Sequence, residues 1–359
     1  MGKYLLTQKH IAQTVICFFI LLCSSCAMRQ VHMKAMQPAL ITVPAHVQTV
    51  LILDRSQPDT KAKEIIGSIL SAGLPAERKA AVQEALNGLQ QQMQSSPRFH
   101  VVRATEVYKG SNLTSAFPEP LEWSEIEHLC RKYETDAVVA LEIFSTKFVV
   151  TDGKRVVKKY VEESGTKKEV EVTEYYADGI ATADMGFRFY DPVVKTIADQ
   201  KLFSLNNRWG ATGTSPTDAI GLLINKSEAQ KRVSYNAGLS YGSRISPLPI
   251  TITRSFYGKP KKNAAMIIGN RQADTNQWYE AVETWQKGMG TAKTKVAGRL
   301  AYNVAIAYEV IGDLDKAIEW AGKSFVEFGD KHAKEYSDEL YYRLNQEKIL
   351  DDQLSNGEE

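Results

Sequence analysis

The 359-residue sequence has four cysteines, near-balanced charge, no local catalytic signature and no apolar run long enough to cross a bilayer. Cys17, Cys23 and Cys26 cluster near the start, which leaves Cys130 alone in the rest of the chain. A lone cysteine excludes an internal disulfide and a cysteine-rich structural zinc site. Cys130 shares a helical face with Ile126, Leu129 and Tyr133, so it is expected to be a small core residue. Lysine and arginine number 44 against 42 acidic residues, interleaved along the chain. A nucleic-acid surface needs a clustered basic face, so nucleic acid is not an expected partner. His-Glu-x-x-His, Gly-x-Ser-x-Gly and a cysteine with a partner histidine are all missing, and His46, His100, His128 and His332 are scattered singly. No metal ligand set, catalytic residue or cofactor is therefore expected. Gly210 to Ser215 lacks the Gly-Lys-Ser/Thr ending of a phosphate loop. Ser215 as N-cap, Pro216 at the first helical position and Asp218 explain it as a helix start.

What is present begins with an export signal. Lys3, Lys9 and His10 supply the positive start, Val15 to Cys23 the apolar core, and Ser24-Ser25 the small residues before Cys26. A span needs roughly 20 apolar residues, and Gln8, Lys9, His10 and Gln13 leave this run too short for an uncleaved anchor. The pattern predicts cleavage before Cys26 and lipid on its thiol. An ordinary secretory signal, with Cys26 incidental, is the alternative. Ala27, Met28, Arg29 and Gln30 carry no acidic sorting tag, which favours an outer membrane lipoprotein facing the periplasm.

The apolar fraction of 43% and charged fraction of 24% are those of globular proteins, and the length suffices for two domains. Residues 26–45, polar with Pro38 and Pro44, read as a tether. Val47 to Leu53 is a buried strand, and Asp54-Arg55-Ser56 is expected to end it at solvent. Val82, Leu86, Leu89 and Met93 form one helical stripe. Phe99 to Val102 is a strand, Ser124 and Glu127 suggest a capping box, and Ala137 to Val150 is a long strand. Lys154 to Val172 predicts a charged hairpin about Gly165 with cross-strand ion pairs. Further strands follow at Met185 to Tyr190 and Lys201 to Leu205. A helix then runs to near Tyr241, weakened by Gly238 and Gly242, and Ile250 to Thr253 returns as a last strand.

From Ala264 onward the pattern is helical and weakly repeated. Ala301 to Tyr308, then Gly312-Asp313, then Ala317 to Ala321 resembles a tetratricopeptide repeat. Trp278 to Trp285, with Ile268-Gly269 before it, resembles a degenerate copy that has Gln272 and Gly288 where the family prefers Tyr and Ala. The resemblance puts Ala305, Tyr308 and Ala317 in the seam between helices. It puts Arg299, Tyr302, Asn303, Ile306 and Glu309 on a concave side that holds extended peptides. Asn303 would bond a ligand's backbone, and Asn303→Ala would then cost little stability.

The expected fold class is α+β, or α/β, with an N-terminal mixed-sheet domain over 46–257. A 258–263 linker, a C-terminal all-α array of TPR-like hairpins over 264–350 and a disordered 351–359 tail complete the chain after the 1–25 signal. Cys26, Asp54-Arg55-Ser56, Tyr241 to Pro247 and Ala301-Tyr302-Asn303 make the whole resemble a family of Gram-negative envelope lipoproteins of unknown function. The implied role is a non-catalytic scaffold that is held to the membrane by lipid and binds an envelope protein or peptide through its repeats. An envelope glycan or peptide hydrolase is the alternative, because a carboxylate pair has no local signature.

Overall fold

A computed structural model describes residues 28–58, 74–111, 116–163, 166–260 and 262–354. The export signal and Cys26 lie outside the described residues. The chain is α+β, a mixed-sheet domain followed by a helical C-terminal region. It divides into two compact units, one of Pro38–Leu248 with Leu350–Glu359 and one of Met1–Gln37 with Pro249–Ile349.

The first, the sheet unit, holds strands β2 (Thr49–Pro58), β3 (His100–Ser111), β4 (Ala137–Glu163), β5 (Thr166–Asp191) and β6 (Thr196–Gly213). Their order is β3-β2-β4-β5-β6, with β2 parallel to both neighbours and β4-β5-β6 antiparallel. Parallel neighbours need crossovers, and helices α1 (Leu74–Gln94) and α2 (Trp123–Tyr133) provide them. Side chains of β2 alternate between two cores. Val50 and Ile52 meet Leu86 and Leu89 of α1, and Leu51 and Leu53 meet Ile126 and Leu129 of α2. This double burial is why the strand is apolar on both faces.

The helix expected after Ser215 is broken into α3 (Pro216–Leu222) and α4 (Lys226–Ile245). Ser215 Oγ accepts from the Asp218 amide at 3.1 Å, and Asn225 Oδ1 caps α4 through the Glu228 amide at 2.9 Å. Gly238 lies within an unbroken α4, where packing requires it. A Cβ there would lie 1.9 Å from the Ala85 carbonyl oxygen, and one on Gly88 would lie 2.1 Å from that of Tyr235. Helices α1 and α4 touch backbone to backbone, which only glycine permits at these positions.

The second, the helical unit, holds α5 (Ala264–Asp274), α6 (Trp278–Met289), α7 (Thr294–Ile311), α8 (Leu314–Val326) and the greater part of α9 (Lys331–Leu354). Gly312, at φ 94°, caps α7 in the left-handed region, and Asp313 caps α8. Ala305 and Ala317 are fully buried in the same core. Trp285 packs where Gly269 has no side chain, since a Cβ there would lie 2.2 Å from its Nε1.

Five local expectations change. Ser124 and Glu127 form no capping box, because α2 already starts at Trp123 with Glu122 as an N-cap whose side chain makes no capping bond. Residues 28–37 are strand β1 (Met28–Gln37) rather than tether, because they pair with β7 (Leu248–Tyr257) and pack Met28 and Val31 on the helical core. Strand β7 does not complete the large sheet; from Pro249 on it belongs to the helical unit, ahead of the expected 258–263 linker. The expected tail is helical to Leu354, where buried Gln353 brackets the Ala39 backbone at 2.8 and 3.0 Å. Finally, β2 does not end at Asp54-Arg55-Ser56, and both Arg55 and Ser56 are buried.

Candidate functional site

The expected peptide groove is closed. Asn303, Ile306 and Glu309 are at most 1% exposed and Tyr302 is 7% exposed, with Arg299 half-buried. The C-terminal end of β7 fills the space. Asn303 Oδ1 accepts from the Tyr257 amide at 2.7 Å, and its Nδ2 donates to the Tyr257 carbonyl at 2.9 Å. Asn270 Nδ2 donates to the same carbonyl at 3.3 Å. Asn303 thus bonds an extended backbone, and that backbone is the chain's own. The Tyr257 ring meets Tyr302 edge-on at 5.4 Å and lies 4.9 Å under the Arg299 guanidinium. Phe256 packs against Trp278 and Trp285.

Glu309 anchors the other end of this contact. Arg254 of β7 donates to both its oxygens, at 2.8 and 3.0 Å. Arg343 and Tyr336 of α9 donate at 2.7 Å each. Burial disfavours the carboxylate, but Arg254, Arg343 and Tyr336 outweigh it and hold Glu309 below its ordinary value. The same burial and the Glu309 charge push the Tyr336 phenol well up.

The expectation for Asn303→Ala therefore reverses. Removing the amide takes away the partner of the Tyr257 N–H among the described residues, at about 1–3 kcal/mol per unsatisfied group. Urea unfolding should place the variant about 2–3 kcal/mol below wild type. An unchanged midpoint would mean that the bracket contributes nothing.

In the sheet unit the buried Arg55-Ser56 pair leads to a second charged cluster. The β4–β5 register slips between Leu141 and Ile143, and the bulge carries Glu142 at 0% exposure. Arg55 Nη1 reaches Glu142 Oε1 at 2.9 Å, Arg188 Nη1 reaches Oε2 at 2.8 Å, and Tyr190 donates to Oε1 at 2.6 Å. Arg188 also donates to the Pro118 carbonyl and to Gln200, and lies 4.7 Å over the Phe117 ring. Burial, then the Glu142 charge, pushes the Tyr190 phenol up to about 12. Glu142 has both oxygens engaged by two guanidinium groups and a phenol, which makes it a strong structural tie.

The third feature is an arm. β6 covers β5 only from Tyr175 to Asp191, whereas the β4–β5 ladder continues to Glu163 and Thr166. Among the described residues, 155–163 and 166–174 therefore pair only with each other over about 30 Å. Arg155 and Lys159 pair with Glu174, and Lys158 with Glu169, so the expected cross-strand ion pairs form with Glu174 in place of Glu171, while the expected Gly165 turn lies outside the described residues. The arm's apolar residues face solvent. Val156 and Tyr160 are 65% and 71% exposed, and Val161 and Val172 are also exposed. A two-stranded ribbon is marginal in water on its own.

Residues 47–257 match a family model described as a domain of unknown function, DUF8603. The chain belongs to the DUF8603 family. The DUF8603 match runs from the lead-in to β2 through the end of β7, so it takes in the ion cluster and the arm. Residues 268–346 match a second model, DUF6340, also a domain of unknown function, which contains Asn303 and Glu309. No curated protein matches the sequence. Among solved structures, the chain is similar to a PelC dodecamer from Paraburkholderia phytofirmans at 10% identity. That match covers 60% of this chain and 98% of the other, with a TM-score of 0.21. It is also similar to a putative neuraminyllactose-binding hemagglutinin homolog from Helicobacter pylori at 8% identity, covering 56% and 84%, with a TM-score of 0.27. Scores this low bear on neither mechanism nor partner.

Proposed function

We propose that this protein is a lipid-anchored, non-catalytic scaffold of the cell envelope, facing the periplasm from the outer membrane. Its partner is a protein engaged by the arm of the sheet unit. The carrying observation is the ribbon of residues 155–163 and 166–174, whose outer strand edges have no neighbour among the described residues and whose faces expose Val156, Tyr160, Val161 and Val172. An exposed strand edge accepts an extended segment by main-chain hydrogen bonds, with alternate side chains supplying specificity. The helical repeats are the weaker candidate because β7 already occupies their concave face. The anchor is supported by the signal pattern ending at Cys26.

Photo-crosslinking in the native membrane tests this. A photoreactive residue at Tyr160 or Val172 should give one discrete adduct, lost when Val156, Tyr160 and Val172 are all changed to Thr. Palmitate labelling should vanish in Cys26→Ser and persist in Cys130→Ala. A discrete adduct from exposed helical positions such as Tyr279, with none from the arm, would return the partner surface to the repeats.

A further inference from the structure

A groove on the sheet unit points to a ligand class independent of any partner on the arm. On β5, Ala181 and Ala183 are the residues opposite Asn207 and Leu205 of β6. Their small side chains let α4 lie close to the sheet through Ala229, Val233 and Ala237, all fully buried. Larger β6 side chains then stand beside the helix, and a cavity of about 570 Å3 opens between them. That volume is in the range of small-molecule sites, about 300–1,000 Å3.

Its chemistry is selective. Trp209 is half-buried and held edge-on to Phe148 at 6.5 Å, which fixes the indole at one side of the cavity. Tyr235 stands on the helical wall with its hydroxyl tied to Gln91. Asn207 and Asn236 line the same space, and neither side-chain amide has a hydrogen-bond partner among the described residues. The charges cancel. Glu228 is spent on Arg232 at 2.7 Å, while Lys231 and Glu84 complete the rim with one charge of each sign.

We infer that this groove binds an oligosaccharide, one sugar ring lying on Trp209 and its hydroxyls bonding Asn207 and Asn236. A sugar ring has an apolar C–H face and a polar perimeter, which matches one fixed aromatic wall flanked by two free amides. A phosphate ligand would need net positive charge that Glu84 and Glu228 remove. An extended peptide would draw on main-chain pairing along a strand edge, whereas the groove offers side-chain amides, one from β6 and one from α4.

Titration of the full mature protein with chitotetraose, cellotetraose and maltotetraose tests the inference, followed by calorimetry and tryptophan fluorescence. At least one sugar should bind at millimolar concentration or below and perturb tryptophan emission. Trp209→Ala should weaken that binding by about tenfold or more. Trp209 also packs on the core, so Asn236→Ala is the second variant. It removes no internal hydrogen bond and should weaken binding severalfold with unchanged melting. No binding of any of the three sugars up to about 10 mM, or binding unaffected by both variants, overturns the inference. Binding of tetra-alanine with the same Trp209 dependence, and of none of the sugars, overturns it in favour of a peptide site.

Discussion

Glu309→Gln should destabilise the helical unit by about 3–5 kcal/mol, since removing one member of a buried ion cluster strands the other charges. The substitution keeps the shape but removes the buried carboxylate, leaving Arg254 with the exposed Glu339 and Arg343 with Glu347 as their remaining acidic partners. Hydrogen exchange should show the loss first in β7 and α7, the elements that Glu309 and Asn303 join. The pH dependence has a definite sign. The Glu309 carboxyl sits below its ordinary value of 4.5 in the folded chain. Its stabilisation is complete above that value and is lost as pH falls through the depressed one. Wild type and variant should therefore differ most near neutrality and converge in acid. A gap that stayed constant down to pH about 2 would separate the effect from ionisation.

Glu142→Gln should cost the sheet unit about 3–5 kcal/mol for the same reason. Here Arg55 and Arg188 are both under 10% exposed and share one carboxylate. Arg55 already lacks a partner for Nε among the described residues, so nothing there absorbs the loss. Combining Arg55→Met, Glu142→Leu and Arg188→Met should recover most of the stability, because apolar packing often replaces a buried ionic triad without net cost. Guanidinium unfolding of the two variants decides it. A single Gln variant as stable as wild type would mean that water reaches the cluster.

The sequence made the parallel core legible because double burial of β2 leaves an unbroken apolar run, and made the helices legible through their stripes and caps. Two features escaped it for different physical reasons. Ile250-Thr251-Ile252-Thr253 alternates like any half-buried strand, and periodicity says nothing about which neighbour it joins. It pairs with β1, more than 200 residues away in sequence. Asp54-Arg55-Ser56 looked like a strand end because charge usually marks solvent. The burial of Arg55 depends on Glu142 and Arg188, which only the folded sheet brings to it. At Asn303 the chemistry was legible and the occupant was not, since backbone bonding by that amide is the same for a guest peptide and for Tyr257.

That strand in the helical groove also sets a threshold for any competitor. Because β7 leads into α5 through a connection of a few residues, it rebinds at an effective concentration of about millimolar or higher. A free peptide with equal contacts would have to be supplied at that concentration merely to share the site. The groove is thus insulated from the many weak extended sequences an unfolded chain would present, and only a far tighter ligand would open it.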